Sequence, residues 1–249
     1  VNNAEGREEG ADVLPQLEHL HALCELLAAQ RGRRGAIDVE SREVKFRLDA
    51  HGEVVSMGAT ERNDAHKLIE ECMIAANVQA AMYLEKKGIP ALYRAHLPPP
   101  EEKYEDVRTF LREFKIRMPS AAEVTPSDFA RVIAEIQDRP ERELIQSVLL
   151  RSQSMATYQP GNHGHFGLSL EAYAHFTSPI RRYPDLLVHR AIRHAIGRRK
   201  ASSYCYSAER IAGTAPHCSP RERRAAEGPP DGTPPFQTAR TAQHGRTAF

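Results

Sequence analysis

The feature that most constrains the fold of this chain is one long segment without helix breakers. From about residue 65 to residue 87 the sequence contains neither glycine nor proline. Asn63 and Asp64 precede this segment with side chains that cap helix N-termini, and Gly88 follows it with the backbone freedom that ends a helix. Apolar and small residues lie on every side of the predicted helix, so we expect it to be largely buried. The rest of the chain must then pack around it.

The segments on either side alternate between helical and extended patterns. Leucines at three- and four-residue spacing predict a helix over 15–30, and a period of two predicts a β-meander over 36–60. A strand is predicted through Phe166, Leu168 and Leu170. Further helices are predicted over 104–114, over 127–137 with Ser127 as the cap, from Pro140 onward, and finally over 184–197.

The net charge of the chain is close to zero, so a globally basic surface cannot explain nucleic-acid binding. The chain has 34 Lys and Arg residues against 33 Asp and Glu residues. Any affinity for RNA must therefore come from a local arrangement of charges. No apolar run is long enough to span a bilayer, and residues 1–6 lack the basic and apolar parts of a secretory signal. We therefore expect no membrane contact and a cytoplasmic location.

The densest chemistry lies in one turn that two prolines stiffen. Pro179 and Pro184 enclose Arg181 and Arg182, which directly precede a predicted helix N-terminus. Free backbone N–H groups at that N-terminus and two guanidiniums that donate paired hydrogen bonds form a candidate phosphate clamp. A structural alternative needs no ligand: Arg182 pairs with Asp185 across the first helical turn, and Arg181 is solvated. The residues alone leave both interpretations open.

Glu70 and Glu71 form a second candidate site within the long helix. Adjacent helical residues point about 100° apart, so one of the two can face solvent while the other faces inward. Asn77 shares a helix face with Glu70. A carboxylate in a buried helix is costly unless it is paired or binds a ligand. The alternative to a binding site is a structural ion pair with a basic loop.

His163 and His165 stand in a glycine-rich turn and form a third candidate. Two histidines can bind a metal only together with further ligands, and no third ligand is near in the sequence. We therefore favour roles in the turn and in packing.

Four stretches together resemble the catalytic domain of the ribonuclease II/ribonuclease R family, most closely its bacterial ribonuclease R group. They are residues 34–38, 62–73 with 75–77, 165–168 and 173–185, in the order and approximate spacing of the family. The resemblance covers about 14–227. Residues 1–13 are then an N-terminal extension, and 228–249 are expected to be a disordered or frame-shifted tail, because they are rich in Pro and Gly without apolar periodicity.

This resemblance implies an α+β fold, present as the C-terminal part of the domain, with helices packed on a remnant of a β-sheet. It also implies a 3′→5′ exoribonuclease that uses Mg²⁺ to release nucleoside 5′-monophosphates from single-stranded or structured RNA. Arg181 would then contact the scissile phosphate. The resemblance also implies that Glu71, or less favourably Glu70, binds RNA together with Arg182 and Tyr183. The residues implied to support the turn are Asp185, His189 and Ser178.

The resemblance also indicates which functional residues of the family we expect this chain to lack. Members of the family hold Mg²⁺ with closely spaced aspartates upstream of these motifs, whereas the nearest pair in this sequence, Asp128 and Asp138, is separated by ten positions. We therefore expect no metal ligands in this chain and little activity from it alone. Its partners would be RNA and the missing N-terminal part of the same enzyme. The alternatives are a non-catalytic RNA-binding or assembly module that complements a separate chain, and a truncated product without function.

Overall fold

The computed structural model describes residues 12–38, 43–49, 54–60, 63–197 and 199–226. Residues 39–42 and 50–53 of the predicted meander, residues 1–11 of the predicted extension and the predicted tail lie outside the described residues. In chain order the elements are α1 (Leu14–Arg33), β1 (Glu43–Leu48), β2 (Val54–Thr60), α2 (Asp64–Lys87), β3 (Tyr93–Ala95), α3 (Glu101–Glu113), α4 (Pro126–Glu135), α5 (Arg142–Ser152), β4 (Thr157–Gln159), a 3₁₀ turn (Phe166–Leu168), α6 (Tyr183–Ile196), a 3₁₀ turn (Ala201–Ser203) and α7 (Ala208–Ala226). One more helix, α7, thus follows the helix predicted to be the last.

The long predicted helix, α2, is confirmed with both of its caps. The side chain of Asn63 accepts a hydrogen bond from the backbone N of His66 at 3.0 Å, and Gly88 ends the helix at φ 61°. The expectation that α2 is largely buried is wrong, because Ile69 is 57% exposed and Met82 is 50% exposed. Apolar composition does not show how many faces of a helix are covered. Here α1 and α6 pack on α2, and Ile69 and Met82 lie on parts of its surface that remain exposed.

The strands form two small antiparallel sheets of two strands each. β1 pairs with β2, so the described part of the predicted meander is a hairpin, and 36–38 is not a strand. β3 pairs with β4, with Arg94 opposite Tyr158. The strand predicted through Phe166 is wrong. The ring of His165 accepts a hydrogen bond from the backbone N of Leu168 at 3.2 Å, which caps a 3₁₀ turn in its place.

Helices α3, α4 and α5 form an apolar unit of their own. Asp128 accepts a hydrogen bond from the backbone N of Thr125 at 2.9 Å, so Thr125 and not the predicted Ser127 caps α4. Phe129 lies at the centre of the unit and contacts the ring of Phe166 edge-on, with 5.8 Å between the ring centroids. The buried apolar residues of the unit are Tyr104, Val107, Leu111, Ile116, Met118, Phe129, Val132, Ile133, Ile136, Ile145 and Leu149.

Two further apolar clusters connect α2, α6 and α7. The first joins α2 to α6 through Ala81, Leu84, Val188 and Ala191. The second packs Leu187 of α6 with residues of α7 and of the β3–β4 sheet. None of the described helices has the length and apolar character needed to cross a membrane. These clusters fix the start of α6 beside α2, which determines where the arginine turn lies.

The loop after α1 approaches α4 closely at a glycine. Gly35 has φ +73°, and a Cβ atom built on it would lie 1.9 Å from the Oγ atom and 2.8 Å from the Cα atom of Ser127. Next to it, the backbone N of Ile37 donates to the carbonyl of Gly167 at 2.8 Å. Only glycine meets both the conformational and the spatial requirement at position 35.

We predict that Gly35→Ala lowers the free energy of unfolding of the chain by more than about 1–2 kcal/mol. The left-handed conformation alone costs a residue with a Cβ atom about that much, and the collision with Ser127 adds to it. Gly32→Ala is the matched control, because Gly32 lies in α1 and no atom outside that helix lies within 4 Å of the place that an alanine Cβ would occupy. Urea unfolding of both variants measures the difference, and equal stabilities would contradict the prediction.

Candidate functional site

The turn that carries the two arginines is held by the buried carboxylate of Asp185. Asp185 is 0% exposed and accepts hydrogen bonds from the backbone N of Ser178 and from Nε and Nη2 of Arg182, each at 2.8 Å. The structural alternative for Arg182 is therefore what the structure shows. Arg181 differs from its neighbour. Its side chain is exposed, and no carboxylate within the described ranges lies at ion-pair distance from it.

The strand-like segment before this turn is anchored to α2 and α6 by hydrogen bonds. The buried Asn77 of α2 donates to the hydroxyl of Tyr173 at 3.0 Å and accepts from the backbone N of Phe176 at 2.9 Å. From the other side, Nε2 of His189 donates to the carbonyl of Phe176 at 2.8 Å, and the two rings are stacked at 4.2 Å. His189 thus contacts the segment that leads into the arginine turn.

Glu70 and Glu71 share one cation, the guanidinium of Arg31 at the end of α1. Nη1 of Arg31 donates to Glu70 at 2.8 Å and to Glu71 at 2.9 Å, and its Nη2 lies 3.3 Å from Asp38. Glu71 is 5% exposed and faces α1. The ion pair with a basic segment, which was the alternative to a binding site, is therefore present.

A cavity of about 470 Å³ connects Glu70 with the arginine turn. Arg182 makes one part of its lining basic, Ile69 and Met73 contribute apolar surface, and His175 and Glu70 also line it. The sequence favoured Glu71 over Glu70 as the carboxylate near a ligand, whereas the structure places Glu70 on this cavity. A volume of this size is within the range of small-molecule sites, about 300–1,000 Å³. The cavity can therefore accept a ligand that combines an anion with an apolar ring.

A polar cluster that the sequence did not indicate lies behind the cavity. Arg94 forms an ion pair with Glu222 at 2.5 Å, and the hydroxyl of Tyr158 donates to Glu222 at 3.1 Å. The same hydroxyl is 2.8 Å from Nδ1 of His175. These residues are spread from β3 to α7, so no local spacing could have revealed them.

His165 and His175 are neutral because they are largely removed from solvent and lie near cations. Burial, followed by the charges of Arg182 and Arg94, lowers the pKa of His175 to about 3. Burial, followed by His96 and Arg94, lowers the pKa of His165 to about 3. These two imidazoles therefore add no positive charge to the site, whereas the guanidinium of Arg182 does.

The glycine-rich turn over 162–165 has a structural role. Gly164 adopts φ +68°, and its backbone N donates to Asn162 Oδ1 at 3.1 Å. His165 is engaged with the backbone of Leu168, while His163 is exposed. The preference for turn and packing roles over metal binding agrees with this geometry.

The described residues do not fit the Mg²⁺ ion that the family resemblance implies. Nowhere in the described ranges do three His, Cys, Asp or Glu side chains come together in a way that could hold a metal ion. The carboxylates that do converge, from Asp38, Glu70 and Glu71, already surround the guanidinium of Arg31. A metal would have to displace a buried cation there. No chemical step of this chain can therefore be assigned to a metal held by the described residues.

An exposed arginine on a fixed turn, next to a cavity with a basic end, defines a candidate site for a phosphate ester in an α+β protein. Comparison with known proteins identifies the family. The model of the RNB domain matches residues 2–198. Ribonuclease R of Escherichia coli (strain K12) is 44% identical over 229 residues, which are 89% of this chain and 28% of that protein.

Solved structures agree with this match. The chain superimposes with a TM-score of 0.71 and 30% identity on Mycoplasma genitalium RNase R in complex with ribose methylated single-stranded RNA, covering 81% of this chain and 33% of that one. It also matches yeast Ssd1, a pseudonuclease, with a TM-score of 0.56 and 26% identity over 64% of this chain and 20% of that one. The chain belongs to the RNB-domain family of exoribonucleases. It spans less than a third of the length of the E. coli relative.

We predict that Asp185→Asn lowers the free energy of unfolding by about 3 kcal/mol, because it leaves the guanidinium of Arg182, 15% exposed, without its counter-charge. Asp106→Asn on the exposed face of α3 is the matched control and should change stability by less than about 0.5 kcal/mol. Thermal and urea unfolding measure both. Equal effects would show that Asp185 does not hold the turn.

The neutral histidines predict a specific loss of stability in acid. His165 and His175 have an ordinary pKa of 6.5 and a pKa of about 3 in the folded chain, so between these values the unfolded chain binds more protons. Stability is therefore full above pH 6.5 and falls as the pH drops toward 3. The double variant His165→Gln/His175→Gln should flatten this dependence, whereas His163→Gln, at an exposed position, should not. Parallel pH profiles of all three proteins in urea unfolding would contradict the prediction.

Proposed function

We propose that this chain is the RNA-contacting, C-terminal part of the catalytic domain of a 3′→5′ exoribonuclease that releases nucleoside 5′-monophosphates. Membership in the RNB-domain family supports the reaction, and the RNA bound in the M. genitalium relative supports the ligand. The observation that carries the proposal is Arg181, an exposed residue that directly precedes the cavity-lining Arg182 and has no carboxylate at ion-pair distance within the described residues.

In this proposal the residues of the turn and those of the cavity have separate roles. Arg181 donates hydrogen bonds to the phosphodiester that is cleaved and stabilises the negative charge that develops on it. Arg182 stays paired with Asp185, so it fixes the turn and adds positive potential at the cavity. The apolar wall at Ile69 and Met73 contacts the terminal base, and Glu70 accepts a hydrogen bond from a ribose hydroxyl. Tyr183, which is 47% exposed, lies next to the bound strand.

The activation of water by Mg²⁺ belongs to a different part of the enzyme in this proposal. We infer that the aspartates for the metal come from the N-terminal part of the same catalytic domain, which is the chain's protein partner. The misfit between the described carboxylates and a metal supports this division. Arg181 and the cavity then bind the strand, and the other part supplies the hydrolytic chemistry.

A second candidate function is a non-catalytic RNA-binding module. The similarity to yeast Ssd1, a pseudonuclease, supports it, because the same fold occurs there in a protein of that description. The two candidates differ in one measurable respect. Only the first restores RNA hydrolysis when the chain is combined with the N-terminal part of the domain.

We predict that the purified chain binds a labelled single-stranded RNA without shortening it in Mg²⁺, and that Arg181→Ala weakens this binding about tenfold. A charge-assisted hydrogen bond to a phosphate has about that value. Arg112→Ala, at an exposed position of α3, is the matched control. Fluorescence anisotropy measures the affinity, and denaturing gels measure the length of the strand.

A complex of this chain with the N-terminal part of the domain allows RNA hydrolysis to be measured separately from RNA binding. Together with the N-terminal part of the E. coli relative's domain, the chain should produce nucleoside monophosphates, and Arg181→Ala should lower that rate about a hundredfold or more. An isolated chain that shortens RNA and loses this activity on Arg181→Ala would contradict the division between the two parts. An assembled enzyme without hydrolysis would favour the non-catalytic module.

A further inference from the structure

Positive charge is concentrated in one part of this nearly neutral chain. Residues 181–210 contain eight Lys and Arg residues but only two acidic ones, Asp185 and Glu209, although the whole chain has a net charge of +1. The rest of the chain is therefore net acidic. Asp185 is buried against Arg182, and Glu209 is hydrogen-bonded to Ser207. Neither carboxylate neutralises the other cations of the segment.

The described cations of this segment other than Arg182 are exposed. Along α6, Tyr183, Arg190 and Arg193 are exposed and recur at helical spacing, while Val188 and Ala191 on the opposite side are buried. Arg199 and Lys200 follow in the connection to α7 and are also exposed. We call the surface formed by Arg190, Arg193, Arg199, Lys200 and Arg210 the basic face.

An aromatic residue, not a carboxylate, holds two of these guanidiniums. Nη1 of Arg190 donates to the hydroxyl of Tyr206 at 2.5 Å, and the guanidinium carbon of Arg210 lies 4.8 Å from the centre of the Tyr206 ring. A cation held by a neutral ring keeps its full charge for a ligand. Within the described residues, no carboxylate lies at ion-pair distance from any member of the basic face.

The basic face is continuous with the arginine turn. Arg181 directly precedes α6, and Arg193 lies ten residues beyond the first residue of this helix, about 15 Å along its axis. A ligand held at Arg181 that reaches the basic face must therefore be an extended polyanion. This continuity favours the strand that the proposed site would bind over an unrelated acidic partner.

We propose that the basic face binds the phosphate backbone of single-stranded RNA on the 5′ side of the nucleotides at Arg181. This inference takes RNA as the ligand from the proposed function. Exposed guanidinium and ammonium groups contact phosphates without reading bases, so the binding is independent of sequence and decreases with salt. The basic face retains the strand, while the cavity selects its 3′ end.

The test compares two fourfold variants with the same change in net charge. Arg190→Gln/Arg193→Gln/Arg199→Gln/Lys200→Gln removes four of the five cations of the basic face and leaves Arg210. Lys86→Gln/Lys103→Gln/Arg112→Gln/Arg151→Gln removes exposed cations of α2, α3 and α5. The full chain is titrated into fluorescein-labelled oligouridine, without Mg²⁺, at several salt concentrations.

For a long strand we expect the first variant to bind at least tenfold more weakly at low salt. The slope of log K against log salt should fall by about 3, because each contact with a single-stranded phosphate contributes about 0.7. The control variant should keep the slope of the unmodified chain. Equal changes in the two variants, or none in the first, would overturn the proposal. Displacement of the RNA by polyglutamate at the same charge concentration would also overturn the proposal, because it would show that the basic face binds an acidic protein segment.

Short strands distinguish this proposal from the proposed function. A dinucleotide bound at Arg181 cannot reach Arg193, so its affinity should fall in Arg181→Ala and stay constant in the basic-face variant. If Arg181→Ala leaves the dinucleotide affinity unchanged while the basic-face variant still loses the long strand, the proposed function fails and the basic face stands. If Arg181→Ala weakens the binding of the dinucleotide while the basic-face variant binds the long strand normally, only the basic-face proposal is overturned.

Discussion

The site depends on the carboxylate of Asp185, which is fully buried and receives three hydrogen bonds. A buried carboxylate is costly unless it is paired, so the fold tolerates it only with Arg182 and the backbone of Ser178 in place. These contacts determine the path of the chain between Ser178 and α6. As a result Arg182 faces inward, and Arg181 is left exposed beside it. One charged pair thus creates the difference between two adjacent arginines.

The rest of the site is connected to this pair by hydrogen bonds between elements. Asn77 ties α2 to the segment before the turn, and His189 ties the same segment to α6. Such bonds are directional, whereas the apolar contacts between α2 and α6 allow small shifts. His175 lies among cations and is neutral, because burial and neighbouring arginines lower its pKa. Of these two neighbours in the cavity lining, Arg182 therefore supplies positive charge at every physiological pH and His175 does not.

Sequence patterns predicted those features of the structure that depend on contacts between residues close together in the chain. The caps of α2 at Asn63 and Gly88 were evident in the sequence, and the pairing of Arg182 with Asp185, three residues apart, was one of the two interpretations that the residues allowed. Contacts across the chain were not predictable in this way. Arg31 meets Glu71 from a position forty residues earlier in the sequence, and no periodicity specifies that meeting. Single polar side chains also override apolar patterns, as the 3₁₀ turn capped by His165 shows in place of a predicted strand.

The position of Arg31 gives a physical reason for the division of tasks that the proposed function contains. Three carboxylates that converge in a protein usually require a cation, and here a guanidinium meets that requirement from within the chain. A fixed cation of this kind cannot exchange ligands with water, so it cannot activate a nucleophile as a metal does. It does pair with the buried carboxylate of Glu71 and so attaches α1 to α2. In the proposed function the charges of this part hold structure and strand, and the carboxylates for hydrolysis would converge elsewhere without an internal cation.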